Sequence, residues 1–259
     1  MLIILSPAKD LSAEPAKIIG TTEPALIEYA IPIAEKMRSL SVKKLGALMD
    51  LSPKLAQLNF DRYQQWDPST KKETALPAAF MFNGEAYRGL KARTLSPADL
   101  QFSQHHLRIL SGLYGILRPL DMIQPYRLMM GVKIPIARGK KDLYAWWRDK
   151  ITGEVKKVLK KSGSNTIINL ASDEYFSAVD VEAIGAEVIT PIFKDKHAGK
   201  YKMLTAFFKH QRGAMARHII QNRILDPRLL KEYTGDGYRF SPEDSTESEW
   251  VFLRNKRPG

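Results

Sequence analysis

Short apolar segments alternate irregularly with longer amphipathic segments along this chain. Strand-like runs lie at 2–5, 79–82, 166–170, 187–193, 201–208 and 250–253. Apolar residues spaced three or four apart predict helices at 24–40, 97–110, 143–161 and 213–224. Because the strands and helices do not follow strict strand-helix-strand alternation, we predict an α+β (mixed α/β) fold in which helices flank a mixed sheet.

Several classes of protein are excluded by what the sequence lacks. No repeat, low-complexity tract or Gly/Ser linker divides it, so we predict a single domain over 1–259. The strongest apolar run, 78–82, is five residues long, far short of a membrane span. No basic segment precedes the apolar N-terminus, which is typical of a buried strand rather than a signal peptide. The absence of cysteine excludes disulfide scaffolds, thiolate metal sites and cysteine nucleophiles, and a cytoplasmic protein is expected.

The positive charge is concentrated in two stretches. Forty Lys and Arg residues against twenty-eight Asp and Glu give a net charge of +12. Residues 127–161 hold eleven basic and three acidic residues, and residues 194–223 hold eight basic and one acidic residue. A polyanion is therefore the expected partner. The alternative is that the charge serves solubility alone.

The segment 45–56 resembles a helix-hairpin-helix motif, in which two short helices flank a tight glycine-containing turn. The residues that fit are Leu48, Leu51, Pro53, Lys54 and Ala56, while Asp50 and Ser52 stand where glycines are usual. A turn leading into a helix presents backbone N–H groups to a phosphate, and Lys54 adds a positive charge. The alternative is an ordinary pair of helices, with Ser52 as N-cap and Pro53 at the first helical position.

Two polar segments follow predicted strands. The segment 6–9 has the Ser-x-x-Lys spacing of a serine-nucleophile motif, but that motif needs both residues on one helical turn. We therefore expect a loop in which Lys9 contacts an anion at the end of a strand. In the segment 169–176, Asp173 and Glu174 could bind a metal or transfer protons. The alternative there is a short helix whose first turn favours acids.

Two further segments carry basic residues near predicted helices. A Gly-x-x-Gly turn follows the predicted helix that contains Arg108 and could lie near a phosphate. The alternative is a helix that ends at Gly112. Arg217 lies within the predicted helix 213–224, and Arg212 lies just before it with Lys209 and His210. These residues could bind a nucleic acid backbone, or their charged face could simply be solvated. The five histidines form no recognisable ligand set, so we predict no metal and no cofactor.

Five longer blocks occur in order along the chain. They are LSPAK at 5–9, HLRILSGLYG at 106–115, LRPLD at 117–121, QPYR at 124–127 and INLASDEYF at 168–176. In content and spacing they resemble the bacterial peroxide stress protein YaaA family, nearly end to end. The resemblance implies a cytosolic DNA-binding protein with an unusual mixed fold, a positively charged cleft and a helix-hairpin-helix element at about 45–58. It also implies a role in surviving hydrogen peroxide by keeping free intracellular iron low, which limits oxidative damage to DNA.

Two hypotheses follow, and a pure iron-binding protein is a third for which the sequence shows no ligand set. The first is a DNA-binding protein, a monomer with no membrane contact, that contacts the phosphates of double-stranded or structured DNA. Its predicted contact residues are Leu51, Ser52, Lys54, Lys9, Arg108, Arg118, Arg127, Arg212 and Arg217. The second is an enzyme acting on a nucleotide or nucleic acid at a polar cleft. Its candidate catalytic residues are Lys9, Asp121, Asp173 and Glu174, with Arg108 and Tyr126 beside them. The chain contains no recognised catalytic motif, which favours the first hypothesis.

Overall fold

A computed structural model describes residues 1–16, 18–69 and 72–255. The strands are β1 (Leu2–Leu5), β2 (Leu76–Pro77), β3 (Leu107–Ser111), β4 (Gly115–Leu117), β5 (Met122–Ile123), β6 (Thr166–Leu170), β7 (Glu187–His197), β8 (Lys200–Lys202), β9 (Arg239–Phe240) and β10 (Glu249–Arg254). The helices are α1 (Ile27–Arg38), α2 (Val42–Met49), α3 (Pro53–Gln65), α4 (Ala78–Met81), α5 (Glu85–Leu90), α6 (Pro97–His106), α7 (Leu143–Ser162), α8 (Asp173–Phe176), α9 (Val181–Ile184) and α10 (Thr205–Gln221). Short 3-10 helices lie at Ala92–Thr94, Pro227–Glu232 and Gly235–Gly237.

A mixed sheet of eight strands forms the centre of the fold, as the sequence predicts. The strand order is β4-β3-β1-β6-β7-β10-β9, and β8 pairs with β7. The five strands from β3 to β10 along this order are parallel, whereas β4, β8 and β9 are antiparallel to their neighbours. Every residue of β1 is buried, and its Ile4 lies opposite Arg108 of β3 and Asn169 of β6. A strand covered on both faces needs a continuous apolar sequence, which explains the run Leu2–Leu5.

The chain leaves the two central strands in opposite directions. After β1 it crosses to β3 on one side, and after β6 it crosses to β7 on the other side. In open sheets of this kind, the reversal leaves a crevice outside the carboxyl ends of the strands, where ligands bind. The topology therefore directs attention to the residues that follow Leu5 and Leu170.

Two glycines allow α10 to pack directly against α5. A Cβ atom at Gly213 would lie 1.6 Å from the carbonyl oxygen of Ala86, and a Cβ atom at Gly89 would lie 2.1 Å from that of His210. No side chain fits either position unless the helices separate. Two basic side chains of α10, Lys209 and Arg212, line a cleft together with residues that follow β1 and β6.

Four predicted elements agree closely with the structure. The strands at 2–5 and 166–170 are confirmed as β1 and β6, and the helices at 24–40 and 143–161 are confirmed as α1 and α7, with small differences at their ends. The predicted strands at 187–193 and 250–253 lie within β7 and β10. In α7 the side chain of Asp142 accepts a hydrogen bond from the Ala145 N–H, so the start of this helix is well defined.

Two predicted strands are wrong. The run 79–82 belongs mainly to the helix α4, because a short apolar run has no periodicity that separates a buried helix from a strand. The run 201–208 is divided between the short strand β8 and the start of α10. Here the apolar residues at 204, 207 and 208 follow a helical spacing, which the strand prediction overlooked.

Two predicted helices also have wrong boundaries. The helix predicted at 97–110 ends at His106, and β3 begins at the next residue. Gly112 therefore does not end a helix but lies in the turn between β3 and β4, because the preceding apolar residues pair with β1 and β4. The helix predicted at 213–224 begins at Thr205, so that Gly213 lies inside α10 at the contact with α5. Among the described residues, no helix is both long and apolar enough to cross a membrane.

Candidate functional site

A cleft of about 470 Å³ lies at the carboxyl ends of β1 and β6. Residues 6–10, which follow β1, form one part of its lining, and Leu170, Ser172, Glu174 and Tyr175 form another. Residues 84–88 at the start of α5 and two side chains of α10 complete it. These segments are distant in sequence, and the sheet brings them together at the position where the strand order predicts a ligand site.

Hydrogen bonds join the loops that follow the two central strands. The backbone N–H of Ser172 donates to Ser6 Oγ at 2.8 Å, and the Oγ atoms of the two serines lie 3.2 Å apart. The hydroxyl of Tyr87 donates to the Ser6 carbonyl oxygen at 2.9 Å, which ties α5 to the same loop. Hydrogen bonds therefore join three segments of the cleft lining: the loop after β1, the loop after β6 and helix α5.

Three basic side chains line the cleft without an ion pair among the described residues. In the described part of the chain, no hydrogen bond or ion pair engages the side chain of Lys9, Lys209 or Arg212. The Arg212 guanidinium lies 5.0 Å from the centre of the Phe208 ring. Burial lowers the pKa of Arg212, and the negative charge of Asp173 partly opposes this shift. Lys9 and Lys209 are exposed, whereas Arg212 is half-buried. Burial is therefore costly only for the Arg212 cation, and a bound anion would offset that cost.

The acidic side chains of the cleft are Asp10, Glu85 and Glu174. Glu85 pairs with Arg88, and Glu174 Oε1 accepts a hydrogen bond from the Gly131 N–H at 3.1 Å. The cleft therefore has mixed charge, with four basic and three acidic side chains. Glu85 and Glu174 therefore contact residues other than Lys9, Lys209 and Arg212. These three cations can bind an anion such as phosphate. The positively charged cleft that the resemblance implies stays a prediction.

Arg108 and Arg118 line a different pocket, with a volume of about 540 Å³. Arg108 donates to the carbonyl oxygens of Gln104 and Leu107, and burial lowers its pKa to about 10. The structure does not bring these two arginines into the cleft that contains Lys9.

Asp121 is buried and holds the turn after β4. Its carboxylate accepts hydrogen bonds from the Thr22 hydroxyl at 2.6 Å and from Arg118 Nε at 2.9 Å. Burial raises the pKa of Asp121, and these hydrogen bonds oppose the shift. Asp121 does not line the cleft. Of the candidate catalytic residues, only Lys9 and Glu174 line it, with Asp173 close enough for its charge to act on Arg212.

Three other residues with a predicted functional role contact parts of the fold away from the cleft: Arg217, Tyr126 and Arg127. Arg217 Nη1 donates to the carbonyl oxygens of Leu90 and Lys91, which joins α10 to the end of α5. The buried Tyr126 hydroxyl lies 2.6 Å from Ser111 Oγ, and burial raises its pKa. The Arg127 carbonyl oxygen accepts a hydrogen bond from the Tyr63 hydroxyl. The Nε atom of Arg127 is buried and has no hydrogen-bond partner in the described residues. The DNA contacts predicted for Arg127 and Arg217 stay predictions.

The segment 45–56 folds as two helices joined by a short turn. Asp50 has a left-handed backbone with φ of 50°, and Ser52 caps α3 by accepting a hydrogen bond from the Leu55 N–H. The Leu51 N–H donates to the Gly46 carbonyl oxygen, so it is not available to a phosphate. Lys54 is exposed and has no ion pair within the described ranges. This is the arrangement of an ordinary capped helix pair, and a helix-hairpin-helix function for it stays a prediction.

The fold brings together parts of the cleft that local sequence patterns do not connect. Lys209 lies before the predicted helix 213–224, whereas the structure places it on α10, three residues before Arg212, so that the two share one helix face. The pairing of Ser6 with Ser172 depends on β1 and β6 being neighbours, which no local pattern reveals. No group of three or more potential metal ligands is present in residues 1–16, 18–69 and 72–255.

Comparisons with known proteins give matches over almost the whole chain. A family model described as peroxide stress protein YaaA matches residues 1–244. The chain is 48% identical over 255 residues to a UPF0246 protein of Tolumonas auensis, which covers 98% of each chain. It is 47% identical over 257 residues to a UPF0246 protein of Saccharophagus degradans, covering 99% of this chain and 100% of the relative. A UPF0246 protein of Neisseria meningitidis serogroup B is 44% identical over 258 residues, or 99% of each chain.

Proposed function

Because the chain belongs to the peroxide stress protein YaaA family, we propose that it acts in the peroxide stress response as a DNA-binding protein. It binds the backbone phosphates of DNA and helps to limit free intracellular iron and oxidative DNA damage. One observation supports the DNA-binding part: Lys9, Lys209 and Arg212 line the same cleft and make no ion pair in the described residues. The family resemblance supports the part that concerns iron.

The charge of these side chains suits a phosphate backbone. Phosphate contacts by Lys and Arg release counterions and supply most of the affinity of a protein for DNA of any sequence. An arginine can also donate two parallel hydrogen bonds to one phosphate group. Lys209 and Arg212 belong to the basic stretch 194–223, so the cleft opens where positive charge is dense in the sequence.

A salt titration tests this proposal. The slope of log K against log salt concentration changes by about 0.9 for each phosphate contact with a double helix. Replacing both Lys209 and Arg212 by glutamine should therefore flatten the slope by about 2, because two contacts are lost. Fluorescence anisotropy with a labelled duplex at several salt concentrations measures these slopes.

Two control variants make the result specific. Lys156→Gln removes one positive charge from an exposed position of α7 outside the cleft, and its slope should stay close to that of the wild type. Lys54→Glu tests the helix pair separately. Equal slopes for the double variant and the wild type would show that the cleft does not contact the phosphates.

A further inference from the structure

The cleft is the size of a small-molecule site. Ligand pockets usually have volumes of roughly 300–1,000 Å³, and the cleft, at about 470 Å³, lies within this range. A specific interface with duplex DNA buries on the order of 1,000–2,500 Å² of protein surface. The cleft can therefore enclose about one nucleotide, while a duplex would have to lie across its mouth.

The number of unpaired cations suits a terminal phosphate better than a backbone phosphate. A phosphodiester in a DNA strand carries one negative charge, whereas a phosphate monoester carries about −1.5 to −2 at pH 7. Lys9, Lys209 and Arg212 come from two separate elements and supply three positive charges to one cleft. These three cations therefore match the charge of a phosphate monoester better than that of a phosphodiester.

The rest of the lining offers apolar surface for a nucleoside. Pro7, Ala8 and Ala86 line the cleft as half-buried residues, and Tyr87 and Tyr175, which are 6% and 8% exposed, add only a small exposed area. Tyr87 is held in place by its hydrogen bond to the Ser6 carbonyl oxygen and by its ring contact with Phe82, with ring centres 5.3 Å apart. Bases bind to proteins by contact with aromatic and apolar side chains, so the wall and the cations together suit a nucleotide.

We propose that the cleft binds one nucleoside monophosphate group through its monoester phosphate. Lys9, Lys209 and Arg212 hold the phosphate oxygens, and Pro7, Ala8 and Ala86 contact the nucleoside, with the exposed parts of Tyr87 and Tyr175 beside them. The group is either a free mononucleotide or the phosphorylated end of a nucleic acid strand. This inference rests on the proposed function, because it uses the same three cations as phosphate contacts.

Calorimetric titration with single compounds tests the inference. The probes are deoxyadenosine 5′-monophosphate, deoxyadenosine 3′-monophosphate, deoxyadenosine and inorganic phosphate. At least one nucleotide should bind more tightly than inorganic phosphate, and deoxyadenosine should bind most weakly. Arg212→Gln and Lys209→Gln should each weaken nucleotide binding about tenfold, and Lys156→Gln should leave it unchanged. Unchanged thermal unfolding midpoints establish that the variants are folded.

DNA duplexes with defined ends distinguish a free mononucleotide from the phosphorylated end of a strand as the ligand. Duplexes with a short overhang carry either a phosphate or a hydroxyl at the strand end, and anisotropy compares their affinities. A gain of about tenfold from the terminal phosphate identifies a strand end as the ligand. Equal affinities, together with binding of the free nucleotide, identify a mononucleotide.

Different failures have different meanings. The inference is overturned if neither nucleotide binds, if inorganic phosphate binds as tightly as both, or if the Arg212 and Lys209 variants bind them like the wild type. If duplex binding still loses its salt dependence in those variants, the proposed function stands without the inference. If nucleotides bind but no DNA does, the proposed function fails while the nucleotide site remains.

Discussion

Replacing Gly213 by alanine should destabilise the protein by about 3 kcal/mol, although alanine favours a helix over glycine by about 1 kcal/mol. The added Cβ atom would lie 1.6 Å from the carbonyl oxygen of Ala86 and 2.8 Å from the backbone N of Leu90. Both neighbours are backbone atoms of α5, so the clash is relieved only if α5 and α10 move apart. Urea unfolding followed by circular dichroism measures the change in the free energy of unfolding.

Gly153 provides a matched control for Gly213. It lies inside α7, and a Cβ atom there would meet nothing within 4 Å. Gly153→Ala should therefore stabilise the protein by up to about 1 kcal/mol. Because α10 carries Lys209 and Arg212, the Gly213 variant should also bind DNA less tightly. A Gly213 variant as stable as the wild type would mean that the helices do not approach as closely as described.

Replacing Asp195 by alanine should destabilise the protein by about 3–5 kcal/mol, because it leaves a buried arginine without its partner. Arg254 Nε donates to Asp195 Oδ1 at 2.7 Å, and Tyr238 donates its hydroxyl to Oδ2 at 2.9 Å. The side chains of Arg254 and Asp195 are only 4% and 2% exposed. This pair joins β10 to β7, so its loss should lower the unfolding midpoint by on the order of 10 °C.

An exposed ion pair is the control for this prediction. Asp149 lies 3.6 Å from Lys140, and its side chain is 81% exposed. Asp149→Ala should cost less than about 1 kcal/mol, because water screens such pairs. Similar midpoints for the Asp149 and Asp195 variants would contradict the view that the buried pair contributes more to the fold.

Some elements could be predicted from the sequence because their signals are local. A continuous apolar run predicts β1, since this strand is covered on both faces, and an apolar periodicity of three to four residues predicts α7. The run 79–82 could not be assigned in this way, because four buried residues show no periodicity. The junction of α6 with β3 has no turn residue between the two elements, so no local signal marks it.

The candidate site was predictable only in part, for a different physical reason. Lys9 and Glu174 each lie four residues after the end of a parallel strand, and polar residues after parallel strands meet at one edge of the sheet. Arg108 and Asp121 belong to the same sequence blocks, but they do not line the cleft. Their separation depends on the strand order and on the direction of each side chain, and neither is encoded in local spacing.

Lysine footprinting tests the central claim most directly. Acetylation of the folded protein with and without duplex DNA, followed by mass spectrometry, reports the exposure of each lysine. Lys9 and Lys209 should lose reactivity when DNA is bound, because their ammonium groups contact phosphates. Lys156 should react equally in both states. Unchanged reactivity of Lys9 and Lys209 under conditions where the DNA is bound would contradict the account and locate the DNA elsewhere.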